Sequence, residues 1–156
     1  MKSRKTRNNA VEILIAEDSP TQAEQLQYLL EGHGYAVVPA ENGKKALESI
    51  RRRKPALGIS DIVMPEMNGY ELCQAIKSDE ALRDIPVILV TTLSDVLDIV
   101  KGLEYGADNF IRKPYEEKYL LARVDYLLMN QEMRKSQKMQ MGMEIHLGGQ
   151  THFITA

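Results

Sequence analysis

Apolar and polar positions along this chain follow two alternating periods. Short apolar runs rich in β-branched residues recur, and each is followed by a longer stretch whose apolar residues lie three and four apart. The runs predict five strands: Val11–Ala16, Tyr35–Ala40, a third that follows Pro55 and ends on Asp61, Val87–Thr91, and Asp108–Arg112. The stretches between and after them predict five helices. Ser19-Pro20-Thr21-Gln22 opens the first: Ser19 caps it, Pro20 suits the first helical position, and Gln22 completes a capping box. Its apolar face is Leu26, Leu29 and Leu30, and Gly32 and Gly34 end it. Asn42-Gly43 opens the second, which runs through Ala46, Leu47 and Ile50 to the basic run Arg51-Arg52-Arg53-Lys54. Cations there oppose the negative end of the helix dipole. Gly69–Lys77 is the third helix, with Leu72, Cys73 and Ile76 facing inward. Ser94 caps a fourth whose apolar positions are Val96, Leu97, Ile99, Val100 and Leu103; Gly102 weakens it and Gly106 stops it. Tyr115 or Glu116 starts the fifth, which carries Leu120, Leu121, Val124, Leu127 and Leu128.

Strands alternating with helices five times predict an α/β fold with a parallel sheet and right-handed crossovers. The domain so defined runs over residues 11–129, behind a basic, polar lead-in at residues 1–10 that is expected to be disordered. The character of the chain changes after Asn130. Gln131–Met141 is polar with methionines and prolongs the fifth helix. Met143–Leu147 and Thr151–Thr155 both alternate around Gly148-Gly149-Gln150, which is a hairpin signal. Residues 130–156 are therefore expected to form a helical extension and the hairpin-like start of a further module.

Composition narrows the class without changing this picture. At 156 residues, 44% hydrophobic and 27% charged, the chain suits one globular domain with a tail. A formal net charge of −2 argues against a nucleic-acid binder. The one cysteine, Cys73, allows no intrachain disulfide and fits a reducing, cytoplasmic compartment. No apolar run approaches a membrane span, and the first residues lack the apolar core of a secretory signal.

The chemistry lies at the strand ends. The first strand delivers Glu17 and Asp18, the third Asp61, the fourth Thr91 and Thr92, and the fifth Lys113. In a parallel sheet all carboxyl ends face one way, so these side chains converge at the edge where open α/β sheets bind ligands. Each has an ordinary reading alone: Asp61 as a turn or cap residue, Thr91 as a β-former, Lys113 as a surface charge, Phe110 as core. Three carboxylates in one cleft repel unless a cation sits among them, and all-oxygen ligands favour Mg2+ over Zn2+. An exposed carboxylate beside a hard cation, a hydroxyl and a lysine suits phosphoryl transfer, with the carboxylate as nucleophile.

The set Glu17-Asp18, Ser60-Asp61-Ile62-Val63-Met64-Pro65-Glu66-Met67-Asn68-Gly69, Thr91 and Lys113-Pro114 closely resembles the receiver domain of two-component response regulators, over about Val11–Met129. The resemblance implies a flavodoxin-like, doubly wound five-stranded sheet in order 2-1-3-4-5 with five helices. It implies that Asp61 accepts a phosphoryl group from a phosphohistidine of a sensor histidine kinase or phosphotransfer protein. Glu17, Asp18, Asp61 and the backbone carbonyl of Val63 would hold Mg2+. Thr91 and Lys113 would contact the phosphoryl group, and the Lys113–Pro114 bond would be cis. Thr91 and Phe110 would form the switch that changes the face of the fourth helix, fifth strand and fifth helix. A homodimer through that face is a further partner the resemblance allows. Glu17 stands where many members carry aspartate, which shifts metal geometry.

The implied role is a phosphorylation-dependent switch rather than an enzyme. The parent protein can nonetheless be a kinase, because the tail from Met141 looks like the linker after N-terminal receivers in some hybrid sensor kinases. Two other readings stay open: a degenerate receiver that binds partners without phosphorylation, and an aspartyl-phosphate phosphatase. The second of these wants another acid just after its nucleophile, where this chain has Ile62 and Val63.

Overall fold

The five strands predicted for residues 11–129 all form, and all pair in parallel. The structure, a computed structural model, describes residues 10–93 and 95–148. The strands are β1 (Glu12–Ala16), β2 (Ala36–Ala40), β3 (Leu57–Asp61), β4 (Val87–Thr91) and β5 (Asn109–Arg112). The helices are α1 (Pro20–Gly32), α2 (Gly43–Arg52), α3 (Gly69–Lys77), α4 (Val96–Glu104) and α5 (Glu117–Gly148). The sheet order is β2-β1-β3-β4-β5, the flavodoxin-like order.

Strand alternation explains the two layers of helices. Ile13 and Ile15 of β1 point to one face, where they join Leu30 of α1 and Leu120, Val124 and Leu127 of α5. Leu14 and Ala16 point to the other, where they meet Ala46, Leu47 and Ile50 of α2 and Leu72, Cys73 and Ile76 of α3. Both faces of the central strands are thus covered, which is why they read as continuous apolar runs.

Several helix starts follow the expected chemistry. Asn42 caps α2 by accepting from the Lys45 N–H, and Asn68 and Glu71 form a reciprocal capping box at α3. Gly34, at φ 97°, turns the chain out of α1 into β2. The basic run after α2 is partly paired: Arg53 meets Glu12 at 3.1 Å and Lys54 meets Asp84 at 2.7 Å. Asp125 of α5 accepts from the Tyr35 hydroxyl and pairs with His33 Nε2 at 3.0 Å, tying α5 to the α1–β2 turn.

Four local expectations are corrected. Ser19 does cap α1, accepting from the Gln22 N–H at 3.3 Å, but the Ser19 N–H goes to Glu17 Oε2. The Gln22 side chain is turned to Lys113 instead, so no capping box forms. Asp95, through its contact with the Leu97 N–H, caps α4; Ser94 lies outside the described residues. The apolar positions of α4 are mostly uncovered, with Val96 69% and Leu97 73% exposed. Gly102 is the buried residue of that helix, and a Cβ there would lie 3.2 Å from both Leu89 and Phe110 side chains. The helix meets the sheet through its smallest residue, which leaves its apolar side chains outside the contact. Finally, Met143–Leu147 continues α5 rather than starting a hairpin. Glutamine, methionine, lysine and glutamate are good helix formers, and extending a helix already nucleated on the domain costs little. The second expected strand, Thr151–Thr155, lies outside the described residues.

The turn after β3 is built on close backbone approach. Gly69 donates to Ile62 O at 2.8 Å, and a Cβ on Gly69 would stand 2.2 Å from Asp61 O. Gly69→Ala must therefore push α3 away from the end of β3. It is expected to lose about 1–3 kcal/mol in chemical denaturation, and wild-type stability in that variant would contradict the packing described.

Candidate functional site

The sheet order brings the carboxyl ends of β1, β3, β4 and β5 to one edge. Glu17 N still donates to Ala40 O at 3.0 Å, extending the β1–β2 ladder by one residue and fixing the first acid. Asp61 closes β3, and its Oδ1 accepts from the Ile62 N–H at 2.7 Å. The Ser60 hydroxyl donates to Asp61 O at 2.7 Å. Lys113 follows β5, and its N–H donates to Thr91 O at 2.8 Å, so β4 holds the lysine backbone in register. The Lys113–Pro114 bond is cis.

Side chains separated by up to 96 positions meet here. Lys113 Nζ lies 3.2 Å from Glu17 Oε1 and 3.2 Å from Asp61 Oδ2. It also donates to Gln22 Oε1 at the start of α1. One carboxylate oxygen each from Glu17, Asp18 and Asp61 lie within 4.8 Å of one another. Glu17 is buried, Asp61 half-buried and Asp18 exposed, so the cluster opens outward through Asp18.

Burial and charge set the protonation of this cluster. Burial pushes the Glu17 carboxyl up; the Ser19 N–H opposes that, Asp61 adds to it, and Lys113 opposes it, with a net rise. Burial alone would lower Lys113, but the charges of Asp61 and Glu17 outweigh it and hold the ammonium above its ordinary range. The lysine thus stays charged, while the acids remain crowded enough to favour a cation among them. All their donor atoms are oxygens, which fits a hard divalent ion such as Mg2+.

Two clefts meet at Glu17. One, of about 690 Å³, is walled by Glu17, Gln22, Asp61, Thr92 and Lys113 among others. The other, of about 520 Å³, includes Asp18 and runs between α1 and β2 toward Lys45 and Arg52. Thr91 is buried behind the rim, and its Oγ1 accepts from the Leu93 N–H at 3.2 Å. Phe110 is half-buried against the core beneath α4, and Val63 is exposed in the loop after β3. Neither Thr91, Phe110 nor Val63 lines the cleft that holds Asp61 and Lys113. The contact that sequence reasoning missed is Gln22 to Lys113. The local helix-start pattern accounts for Gln22 fully, so nothing short of the folded rim reveals its second partner.

The raised Glu17 carboxyl has a measurable sign. A folded-state value above the unfolded one contributes stability below the ordinary glutamate range, and that contribution is lost as pH rises through the raised value. Glu17→Gln is therefore expected to melt higher than wild type near neutral pH in metal-free buffer. The gain should close as the pH falls below the ordinary glutamate range. A lower melting temperature at neutral pH would contradict this.

Comparison with known proteins identifies the family. The family model described as response regulator receiver domain matches residues 13–125. The DNA-binding response regulator MtrA of Mycolicibacterium smegmatis is 32% identical over 143 residues, or 92% of this chain and 61% of that protein. Histidine kinase P4 of Formosa agariphila is 42% identical over 124 residues, covering 80% of this chain and 9% of the kinase. Across the MtrA proteins of several mycobacteria the match spans 48% to 61% of their length. Among solved structures, the signal receiver domain of a histidine kinase from Syntrophus aciditrophicus has a TM-score of 0.74 at 50% identity, covering 78% of this chain and 92% of that one. Chemotaxis protein CheY4 of Vibrio cholerae has a TM-score of 0.72 at 25% identity, covering 76% and 98%. The chain belongs to the response regulator receiver domain family.

Proposed function

We propose that this chain is a phosphoaccepting receiver in a two-component phosphorelay, with Asp61 as the acceptor. The observation that carries this is the single ammonium of Lys113 held 3.2 Å from both Asp61 and Glu17 at the mouth of an acidic, cation-suited cluster. A carboxylate oxygen of Asp61 attacks the phosphorus of a phosphohistidine on a sensor histidine kinase or phosphotransfer protein. The P–N bond breaks as the P–O bond forms, and the departing imidazole takes up a proton. Glu17, Asp18, Asp61 and the main-chain carbonyl of Val63 would hold Mg2+, which when bound neutralises charge on the phosphoryl oxygens. Lys113 adds a second positive group at the same oxygens. Thr91 supplies a hydroxyl hydrogen from the end of β4.

The proposed output runs through Thr91 and Phe110. The Thr91 hydroxyl shifts toward the phosphoryl group, and the Phe110 ring turns inward behind it. Phe110 packs beneath α4 at Gly102, so the face of α4, β5 and α5 responds. That face already presents Val96, Leu97, Val100 and Leu103 to solvent, which suits docking of a partner or a second copy. Among the described residues no helix is long and apolar enough to cross a membrane. The helix α5 continues to Gly148, beyond Leu127, the last buried residue among those whose burial is described, and would carry the change along its length.

The acceptor assignment is tested by loading with a small phosphodonor or beryllofluoride in Mg2+, read by intact mass and amide spectra. Wild type should respond to both, and Asp61→Asn to neither while keeping its melting transition. Acyl phosphate in that variant would overturn the assignment; a wild type that ignores both reagents would leave only the degenerate form. Asp18→Ala should weaken Mg2+ binding by about tenfold or more, measured by calorimetric titration. An unchanged affinity would remove Asp18 from the ligand set.

A further inference from the structure

We infer that Gln22 is a positioning residue for Lys113: its side-chain carbonyl holds the ammonium over Asp61 from the α1 side. The inference rests on the acceptor reading of Asp61 and adds a residue to it. A lysine ammonium has three N–H donors. Lys113 spends them on three acceptors: Glu17 just after β1, Asp61 at the end of β3 and Gln22 in the first turn of α1. Ser19 caps α1 with its own hydroxyl, and the Ser19 N–H is taken by Glu17. The Gln22 side chain is thereby released from the helix end, and it stands in the wall of the cleft with Asp61 and Lys113.

The three acceptors differ in what phosphorylation does to them. Asp61 gives up its carboxylate charge when its oxygen is phosphorylated to the acyl phosphate. Glu17 shares its carboxylate with any cation in the cluster. The Gln22 amide keeps the same charge and the same acceptor capacity before and after transfer. It is the part of the lysine's cradle that persists through the reaction, and so it limits how far the ammonium wanders from the incoming phosphoryl oxygens. Positioning of a charged group in this way acts on the transition state more than on donor binding.

The experiment is a double-mutant cycle on the full chain, with a small phosphodonor and Mg2+, followed by intact mass. Gln22→Met keeps the side-chain length and removes the acceptor, and Gln22→Ala removes both. Position 22 is exposed, so both variants should keep the wild-type melting transition. Each should slow loading of Asp61 by about five- to tenfold at saturating donor, with the half-saturating donor concentration unchanged. In a Lys113→Met background the same substitutions should have no further effect on the rate. Equal slowing with and without Lys113 would overturn the inference, because it would make Gln22 a helix-end residue with no link to the lysine. Wild-type loading rates in Gln22→Met would overturn it as well. If wild type itself does not load, the acceptor reading fails first, and the two failures are told apart.

Discussion

Like charges crowded at one sheet edge are the constraint the rest of this molecule answers to. Glu17, Asp18 and Asp61 are brought within 4.8 Å by the backbone, not by any attraction among themselves. Two of them are partly or fully out of water, where repulsion is least screened. Lys113 relieves part of that repulsion, and the charges of Asp61 and Glu17 keep it protonated against the opposing effect of burial. What remains is a site with an excess of negative charge and oxygen donors, open through Asp18. Such a site suits a cation and the phosphoryl chemistry proposed for it.

The scaffold holds this arrangement with backbone bonds rather than side-chain bonds. Glu17 and Lys113 are each placed by a ladder hydrogen bond to a neighbouring strand, and Asp61 is the last residue of β3. Gly69 lets α3 close against the Asp61 carbonyl, and Gly43 lets α2 do the same at Met67, where a Cβ would come within 2.3 Å of the carbonyl oxygen. Between these contacts the loop takes a positive φ at Glu66, an uncommon conformation for a residue with a Cβ. Asp61, the proposed acceptor, therefore sits on a rigid strand, backed by a loop with little room to shift.

Much of this was legible in the sequence because it is local. The apolar run Val87–Thr91 and the Asn68-Gly69 start of α3 fold where periodicity and capping chemistry place them. Parallel pairing then makes the convergence of Glu17, Asp61 and Lys113 a geometric necessity. The departures are cases where one pattern admits two outcomes. Apolar spacing in α4 defines an apolar stripe but not what covers it, and the close approach at Gly102 leaves Val96 and Leu97 outside. Alternation over Met143–Leu147 suits a strand in isolation, yet the preceding helix carries through it. Gln22 fits a capping box by local pattern alone, and only its meeting with Lys113, 91 positions away, takes its side chain out of that role.

The most direct measurement is a crystal structure of the chain with Mg2+ and beryllofluoride. The account predicts beryllium bonded to Asp61, the metal held by Glu17, Asp18, Asp61 and the Val63 carbonyl, and the Lys113 ammonium on a fluoride. An unmodified Asp61, or a metal bound away from these carboxylates, would contradict it.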